Sequence, residues 1–116
     1  MFETVQQTGV AADAASEIVG KALRALGDEK RLRIAALLCE GERCVCELAV
    51  QVDMKQPLLS FHLRTLKEAG LVMATRRGKW IYYSMNDEAL GYLGDVLRRM
   101  SEAGAEAAAR DAAACC

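Results

Sequence analysis

Two cysteines separated by one residue, Cys44 and Cys46, are the side chains of this sequence best suited to binding a metal ion. Thiolate sulfur is a soft ligand, so a pair of cysteines favours thiophilic ions over Mg²⁺ or Ca²⁺. In a regular helix, two residues at this spacing lie about 200° apart around the axis. We therefore expect both sulfurs to meet one ion only if the chain distorts where the following helix starts.

The other three cysteines are Cys39, Cys115 and Cys116, and the total of five is odd. In a reducing compartment such thiols are more often ligands or sensors than disulfides. Cys39 ends an apolar helical segment, which predicts a buried packing role. Cys115 and Cys116 follow an alanine-rich segment that either extends the last helix or frays, and either form could carry a thiol to the Cys44 and Cys46 site of its own or a partner chain. A chain end without a role is the alternative.

Net charge gives no sign of a nucleic-acid partner, because 15 Lys and Arg accompany 16 Asp and Glu. The cations are nevertheless concentrated in residues 54–84, where Glu68 is the one acidic residue. Such a positive face can attract phosphates, and the alternative is an ordinary solvated surface. The cations of this segment are Lys55, Arg64, Lys67, Arg76, Arg77 and Lys79.

The length of 116 residues fits one domain with one hydrophobic core. The N-terminal residues have neither a basic nor an apolar region, and no apolar run approaches the roughly 20 residues of a membrane span. We therefore expect a cytoplasmic protein with no membrane partner. The sequence divides into an N-terminal arm (1–13), a folded domain (14–103) and an alanine-rich tail (104–116).

The spacing of apolar residues predicts helices that must position these side chains. One helix covers 14–26, a second runs from a capping Asp28 to Gly41, and a third covers 45–52. A fourth covers 56–69, with Pro57 in its first turn. The last covers 87–103.

The third and fourth helices are separated by only a few residues, which is typical of a helix-turn-helix whose second helix enters the major groove. On the fourth helix, Leu59, Leu63 and Leu66 share a core-facing stripe. His62 lies beside that stripe, and we interpret it as a packed, hydrogen-bonded side chain. The outer residues can contact base edges or phosphates, and for Phe61 a dimer or core contact is an equal alternative. They are Lys55, Gln56, Ser60, Phe61 and Arg64.

Residues 71–75 and 80–84 are rich in β-formers and predict a hairpin, or wing. Three cations in its turn, Arg76, Arg77 and Lys79, suit phosphate or minor-groove contact. One face of the second strand must be buried, so Trp80, Ile81 and the tyrosines are predicted to include core residues. Together these elements predict an α+β, mostly helical, winged helix-turn-helix fold: three to four helices, a two-stranded wing and a C-terminal dimerisation helix.

Five ordered motifs between about residues 22 and 85 resemble the ArsR/SmtB family of metal-responsive winged-helix repressors. They are Ala25-Leu26-Gly27-Asp28-Glu29-Lys30-Arg31-Leu32-Arg33-Ile34, Cys44-Val45-Cys46-Glu47-Leu48-Ala49, Gln56-Pro57-Leu58-Leu59-Ser60-Phe61-His62-Leu63, Gly70-Leu71-Val72 and Gly78-Lys79-Trp80-Ile81-Tyr82-Tyr83. The resemblance implies a homodimer that binds a palindromic double-stranded operator and leaves it when a metal or metalloid binds. It also implies dimer contacts from the first and last helices. Lys55 stands where many members have a capping Ser, and Phe61 replaces the usual Arg or His.

The resemblance also bears on the inducer. Zinc sensors of the family use a His- and Asp-rich set on the last helix, and this helix has Asp95 but no His. The Cys44-Val45-Cys46 element resembles the thiolate site of arsenite and antimonite repressors, and that of cadmium and lead repressors. A third Cys of the arsenite type would stand at Ala49, and the N-terminal arm has none.

The sequence thus predicts a repressor that releases its operator on binding arsenite, As(III), or antimonite, Sb(III). Its metal ligands would be Cys44 and Cys46, completed by Cys115 or Cys116. A cadmium or lead sensor is the alternative, and it would recruit both tail cysteines. A thiol redox protein is the alternative from another class, because Cys-x-Cys can form a disulfide. No catalytic constellation and no organic cofactor are expected.

Overall fold

A computed structural model describes residues 13–114, which form a mostly helical α+β fold with a small sheet. The predicted winged helix-turn-helix is confirmed. Most predicted bounds agree within two residues with the observed ones, and the last helix is longer than predicted. The elements are α1 (Asp13–Leu26), α2 (Glu29–Cys39), β1 (Arg43–Cys44), α3 (Val45–Gln51), α4 (Gln56–Glu68), β2 (Val72–Arg77), β3 (Trp80–Met85) and α5 (Asp87–Ala114).

Local signals explain where α2 and α4 begin and end. Oδ1 of Asp28 accepts hydrogen bonds from the backbone N–H groups of Lys30 (2.9 Å) and Arg31 (3.1 Å), which caps α2. Pro57 occupies the first turn of α4, where its missing N–H costs nothing. As expected, Lys55 precedes this helix without a capping hydrogen bond from its side chain. Gly70 follows it with φ of +79°, a conformation that favours glycine.

The sheet has three antiparallel strands in the order β1-β3-β2, so the wing has one strand more than predicted. The extra strand, β1, places Arg43 opposite Tyr83 and Cys44 opposite Tyr82. A strand of two residues has too little alternation to be recognised in a sequence. Its presence means that Cys44 belongs to the wing sheet as well as to the start of α3.

The main core lies between α1 to α4, the sheet and the first turns of α5. The predicted leucine stripe of α4 is confirmed, because Leu59, Leu63 and Leu66 are completely buried. These residues hold α4 against the other helices and turn its outer face towards solvent. Further completely buried large side chains are Ile34, Leu48 and Leu71.

Helix α5 continues through the alanine-rich tail to Ala114. Tyr92 and Val96 pack against Ala15 of α1 in a second apolar cluster. Beyond Val96, most described side chains of α5 are exposed, including Leu97 and Met100. The tail therefore extends the helix, and Cys115 and Cys116 lie outside the described residues. Within residues 13–114, no helix has both the length and the apolar character needed to cross a membrane.

Candidate thiolate site and nucleic-acid interface

Cys44 and Cys46 are brought together at the start of α3, where the structure joins them in a disulfide with their Cα atoms 5.4 Å apart. Cys44 precedes the helix in an extended conformation, with φ of −78° and ψ of 157°, and Cys46 lies in its first turn. The expected distortion of α3 assumed that both cysteines are helical, and this assumption is wrong. The 200° separation applies to two helical residues, and Cys44 is not helical.

Hydrogen bonds hold Cys44 and its neighbour Arg43 against α3 and α2. The Glu47 carboxylate accepts a hydrogen bond from the backbone N–H of Cys44 at 3.0 Å. Arg43 donates to the carbonyl oxygens of Leu37 and Gly41, which fixes the loop against the end of α2. Cys44 itself is buried, with 6% of its surface exposed, whereas Cys46 is exposed. A ligand would therefore approach the pair from the side of Cys46.

A groove of about 250 Å³ lies beside Cys46, between α3, the start of α4 and the wing. Ala49, the position at which the resemblance to arsenite repressors would place a third Cys, also lines this groove. Gln56 of α4 lines it too, so the cysteine pair adjoins the predicted base-reading residues. The complete lining is Val45, Cys46, Ala49, Gln56, Lys79, Trp80 and Ile81.

A third protein ligand is not found near the pair within the described part of the chain. Among residues 13–114, no group of three or more His, Cys, Asp or Glu side chains could hold a metal ion. Cys39 is an exposed free thiol, so the predicted packing role is wrong. It follows the buried Leu38 at the end of α2 and so turns away from the core.

The outer face of α4 is exposed as predicted. Phe61 has 53% of its surface in solvent, which rules out a core contact within its own chain. An exposed phenyl ring beside polar side chains suits contact with a partner or with a thymine methyl group. The other exposed residues of this face are Lys55, Gln56, Ser60 and Arg64.

His62 has the packed role that its position predicted. It is buried, and its Nδ1 lies 3.1 Å from Nη1 of Arg31. Arginine can only donate, so Nδ1 accepts and the neutral ring carries its proton on Nε2. Burial lowers the pKa of His62, with the positive charge of Arg31 acting in the same direction and Asp28 opposing it. Nε of Arg31 also donates to the carbonyl oxygen of Ala25 at 2.6 Å, so these side chains join α1, α2 and α4.

The wing exposes more of its second strand than predicted. Trp80 and Ile81 are 49% and 39% exposed, so they are not the core residues of the predicted set. They lie near the tip of the hairpin and line the open groove beside Cys46. Tyr83, farther along β3, packs against the core as predicted. Lys79 places its Nζ 5.5 Å from the centre of the Trp80 ring.

A family model described as "Bacterial regulatory protein, arsR family" matches residues 28–74. The arsenic resistance transcriptional regulator ArsR1 of Pseudomonas putida is 38% identical over 90 residues, which cover 77% of this chain and 70% of that protein. The chain belongs to the arsR family. The arsenical resistance operon repressor of Escherichia coli is 47% identical over 62 residues, about half of each protein (53%).

The fold of this arsR-family chain resembles that of a solved DNA-binding domain. A homodimeric winged helix-turn-helix DNA-binding domain from Mycobacterium bovis, described as a possible ArsR-family transcriptional regulator, has a TM-score of 0.65 at 32% identity. The match covers 78% of this chain and 88% of that domain. The arsR-family chain is therefore a DNA-binding transcriptional repressor and not an enzyme.

The sequence of this arsR-family chain did not predict the ion pair between Glu42 and Arg77. Glu42 accepts hydrogen bonds from Arg77 at 2.6 Å and 3.1 Å, and the guanidinium also lies 4.7 Å from the centre of the Tyr82 ring. Hydrogen bonding to Glu42, and then its negative charge, raise the pKa of Arg77. Glu42 and Arg77 are 35 residues apart, so local spacing carried no signal of the pair.

Proposed function

We propose that this arsR-family chain acts as a homodimer and releases its operator when As(III) or Sb(III) binds the reduced Cys44 and Cys46 pair. The observation that supports this most directly is the meeting of the two sulfurs where α3 begins, beside the groove that Gln56 and the wing share. Soft thiolates favour thiophilic ions. A ligand at this point would lie next to the recognition helix α4.

The third ligand is proposed to be Cys115 or Cys116. The described residues hold no third ligand beside the pair, and α5 runs to Ala114, directly before these cysteines. Most of α5 beyond Val96 is exposed, so its end extends away from the domain. The same chain or the partner would supply this tail thiol.

The homodimer is proposed to form through α1 and α5. Leu23, Leu97 and Met100 are exposed apolar side chains, with 41%, 46% and 54% of their surface in solvent. Leu23 and Met100 line a groove of about 320 Å³ between these helices. Apolar side chains grouped in this way commonly mark a protein interface.

For DNA binding, α4 is proposed to enter the major groove, with the wing on the flanking backbone. Gln56, Ser60, Phe61 and Arg64 would contact bases, while Lys55 would contact phosphates. Arg76 and Lys79 would contact phosphates from the wing. Arg77 lies on the same surface, but its guanidinium is engaged by Glu42.

Replacing Gln56 by alanine is expected to reduce discrimination between operator and random DNA, because one good base contact accounts for about 1–3 kcal/mol. Replacing Lys79 by alanine is expected to weaken binding to all sequences alike and to reduce the salt slope of binding by about one. Fluorescence anisotropy with both duplexes at several salt concentrations measures both effects. Equal loss on operator and random DNA in the Gln56→Ala variant would remove Gln56 from the base-reading set.

The inducer is tested by titrating the preformed operator complex with arsenite, antimonite, cadmium, lead or zinc under reductant. Arsenite and antimonite are expected to lower operator affinity, and zinc is expected to have no effect. Release by cadmium or lead alone would support the alternative inducer class. A Cys115→Ser/Cys116→Ser variant should respond more weakly than wild type, and an unchanged response would show that the tail does not supply the third ligand.

A further inference from the structure

We propose that Arg77 is a positioning residue that, together with Glu42, couples the cysteine site to the wing. This inference rests on the proposed inducer response and adds to it a connection from the loop of Cys44 to the wing. It assigns to Arg77 a role different from the phosphate contact that its place in the wing turn suggests.

The first observation is the geometry of the ion pair. Nη1 and Nη2 of Arg77 donate to the two different carboxylate oxygens of Glu42, at 2.6 Å and 3.1 Å. Two parallel hydrogen bonds of this kind fix the relative orientation of the two groups, which a single contact does not. Glu42 precedes Cys44 by two residues, and Arg77 is the last residue of β2. The pair therefore connects the loop of the cysteine site to the base of the wing turn.

The second observation is that the same guanidinium packs on the strand opposite Cys44. Its central carbon lies 4.7 Å from the centre of the Tyr82 ring, and the register pairs Cys44 with Tyr82. Directly opposed residues of antiparallel strands have their side chains on the same face of the sheet. The guanidinium of Arg77 thus links Glu42 to Tyr82, which pairs with Cys44.

These contacts couple movement of the Cys44 loop to movement of the wing. A shift of Cys44 against β3 that displaces Glu42 either carries Arg77 with it or breaks the contact between Arg77 and Glu42. Because Lys79 follows Arg77 by two residues across the turn at Gly78, the wing tip shifts with it. A phosphate contact by Arg77 would instead require it to give up Glu42.

This exposed pair adds little to folding stability, which makes it suitable for substitution. The Arg77 and Glu42 side chains are 55% and 33% exposed, and ion pairs at such sites are weak. We therefore expect Glu42→Gln, Arg77→Gln, the double variant and Arg77→Lys to fold. Asp95→Asn and Arg98→Gln are matched controls, since Asp95 and Arg98 form another exposed pair (2.8 Å) and the charge changes are the same.

The experiment measures operator affinity with and without arsenite, and its salt slope without arsenite. If Arg77 positions the wing, each single Gln variant should reduce the effect of arsenite. The ratio of operator affinity without arsenite to that with arsenite should fall by roughly threefold to tenfold. The double variant should add nothing further, because both substitutions break one interaction. The salt slope should stay at the wild-type value, and Arg77→Lys should not rescue, because lysine lacks the planar fork.

A phosphate contact predicts the opposite pattern. Arg77→Gln would reduce the salt slope by about one, Glu42→Gln would strengthen operator binding by freeing Arg77, and Arg77→Lys would restore affinity. That pattern would overturn the proposal. The proposal would also be overturned if the Glu42 and Arg77 variants kept the wild-type ratio of operator affinities without and with arsenite, or changed it no more than the Asp95 and Arg98 controls do. If arsenite fails to release the wild type, the proposed inducer is wrong, and the salt slope of the Arg77→Gln variant still shows whether Arg77 contacts a phosphate.

Discussion

Replacing Cys44 by serine is expected to abolish the release of operator DNA by arsenite. The ratio of operator affinities without and with arsenite, about 5- to 150-fold for a typical allosteric coupling, should fall to about one. Serine removes the buried thiolate of the pair and keeps a residue that is favourable at a helix N-cap. The hydrogen bond from the backbone N–H of residue 44 to Glu47 does not involve the substituted side chain. Operator binding without arsenite should therefore stay near the wild-type value.

Cys39→Ser is the matched control for this substitution. Cys39 is an exposed free thiol at the end of α2, so its loss should leave the arsenite response unchanged. Cys46→Ser should behave like Cys44→Ser, because both sulfurs belong to the same site. Anisotropy of a labelled operator under reductant measures all three variants. Normal release of the Cys44→Ser protein by arsenite would show that the inducer binds elsewhere.

Replacing Leu63 by alanine is expected to lower the free energy of unfolding by about 3 kcal/mol. Leu63 is completely buried in the main core on the inner stripe of α4. The substitution removes apolar contacts and leaves a cavity that the surrounding helices fill only in part. Because α4 is held by this stripe, operator affinity should fall as well.

Leu58→Ala is the control for stability, since Leu58 lies in the same helix and is 40% exposed. It should lower the free energy of unfolding by clearly less than Leu63→Ala does. Denaturant unfolding followed by circular dichroism, at one fixed protein concentration, compares them on the same scale. Equal losses in the two variants would contradict the assignment of Leu63 to the core.

Much of the fold could be predicted from local patterns. The apolar spacing of α4 predicted the burial of Leu59 and Leu63, and a cap at Asp28 marked the start of α2. The same reasoning predicted that His62 is packed. The stripe, the cap and the position of His62 beside the stripe are relations between residues within a turn or two of one another, and such short-range relations can be recognised in the sequence.

Predictions about individual side chains were wrong where the answer depended on distant elements. Cys39 was predicted to be buried because the segment before it is apolar. Its side chain instead points away from the core at the end of α2 and is exposed. Trp80, Ile81 and the tyrosines were predicted to include core residues because strands usually bury one face; Tyr83 packs against the core, but Trp80 and Ile81 are exposed. Trp80 and Ile81 line an open groove between the wing, α3 and α4, and how closely these elements approach is not encoded in composition.

By itself, the sequence determined the helices, the hairpin, the buried stripe of α4 and the residue types of a thiolate pair. Only the tertiary structure decided that the two sulfurs meet without distorting α3, because the pairing of β1 with β3 holds Cys44 in an extended conformation outside the helix. It also decided that Glu42 binds Arg77, 35 residues away. Contacts between distant residues depend on how completed elements pack, and local periodicity carries no record of that packing.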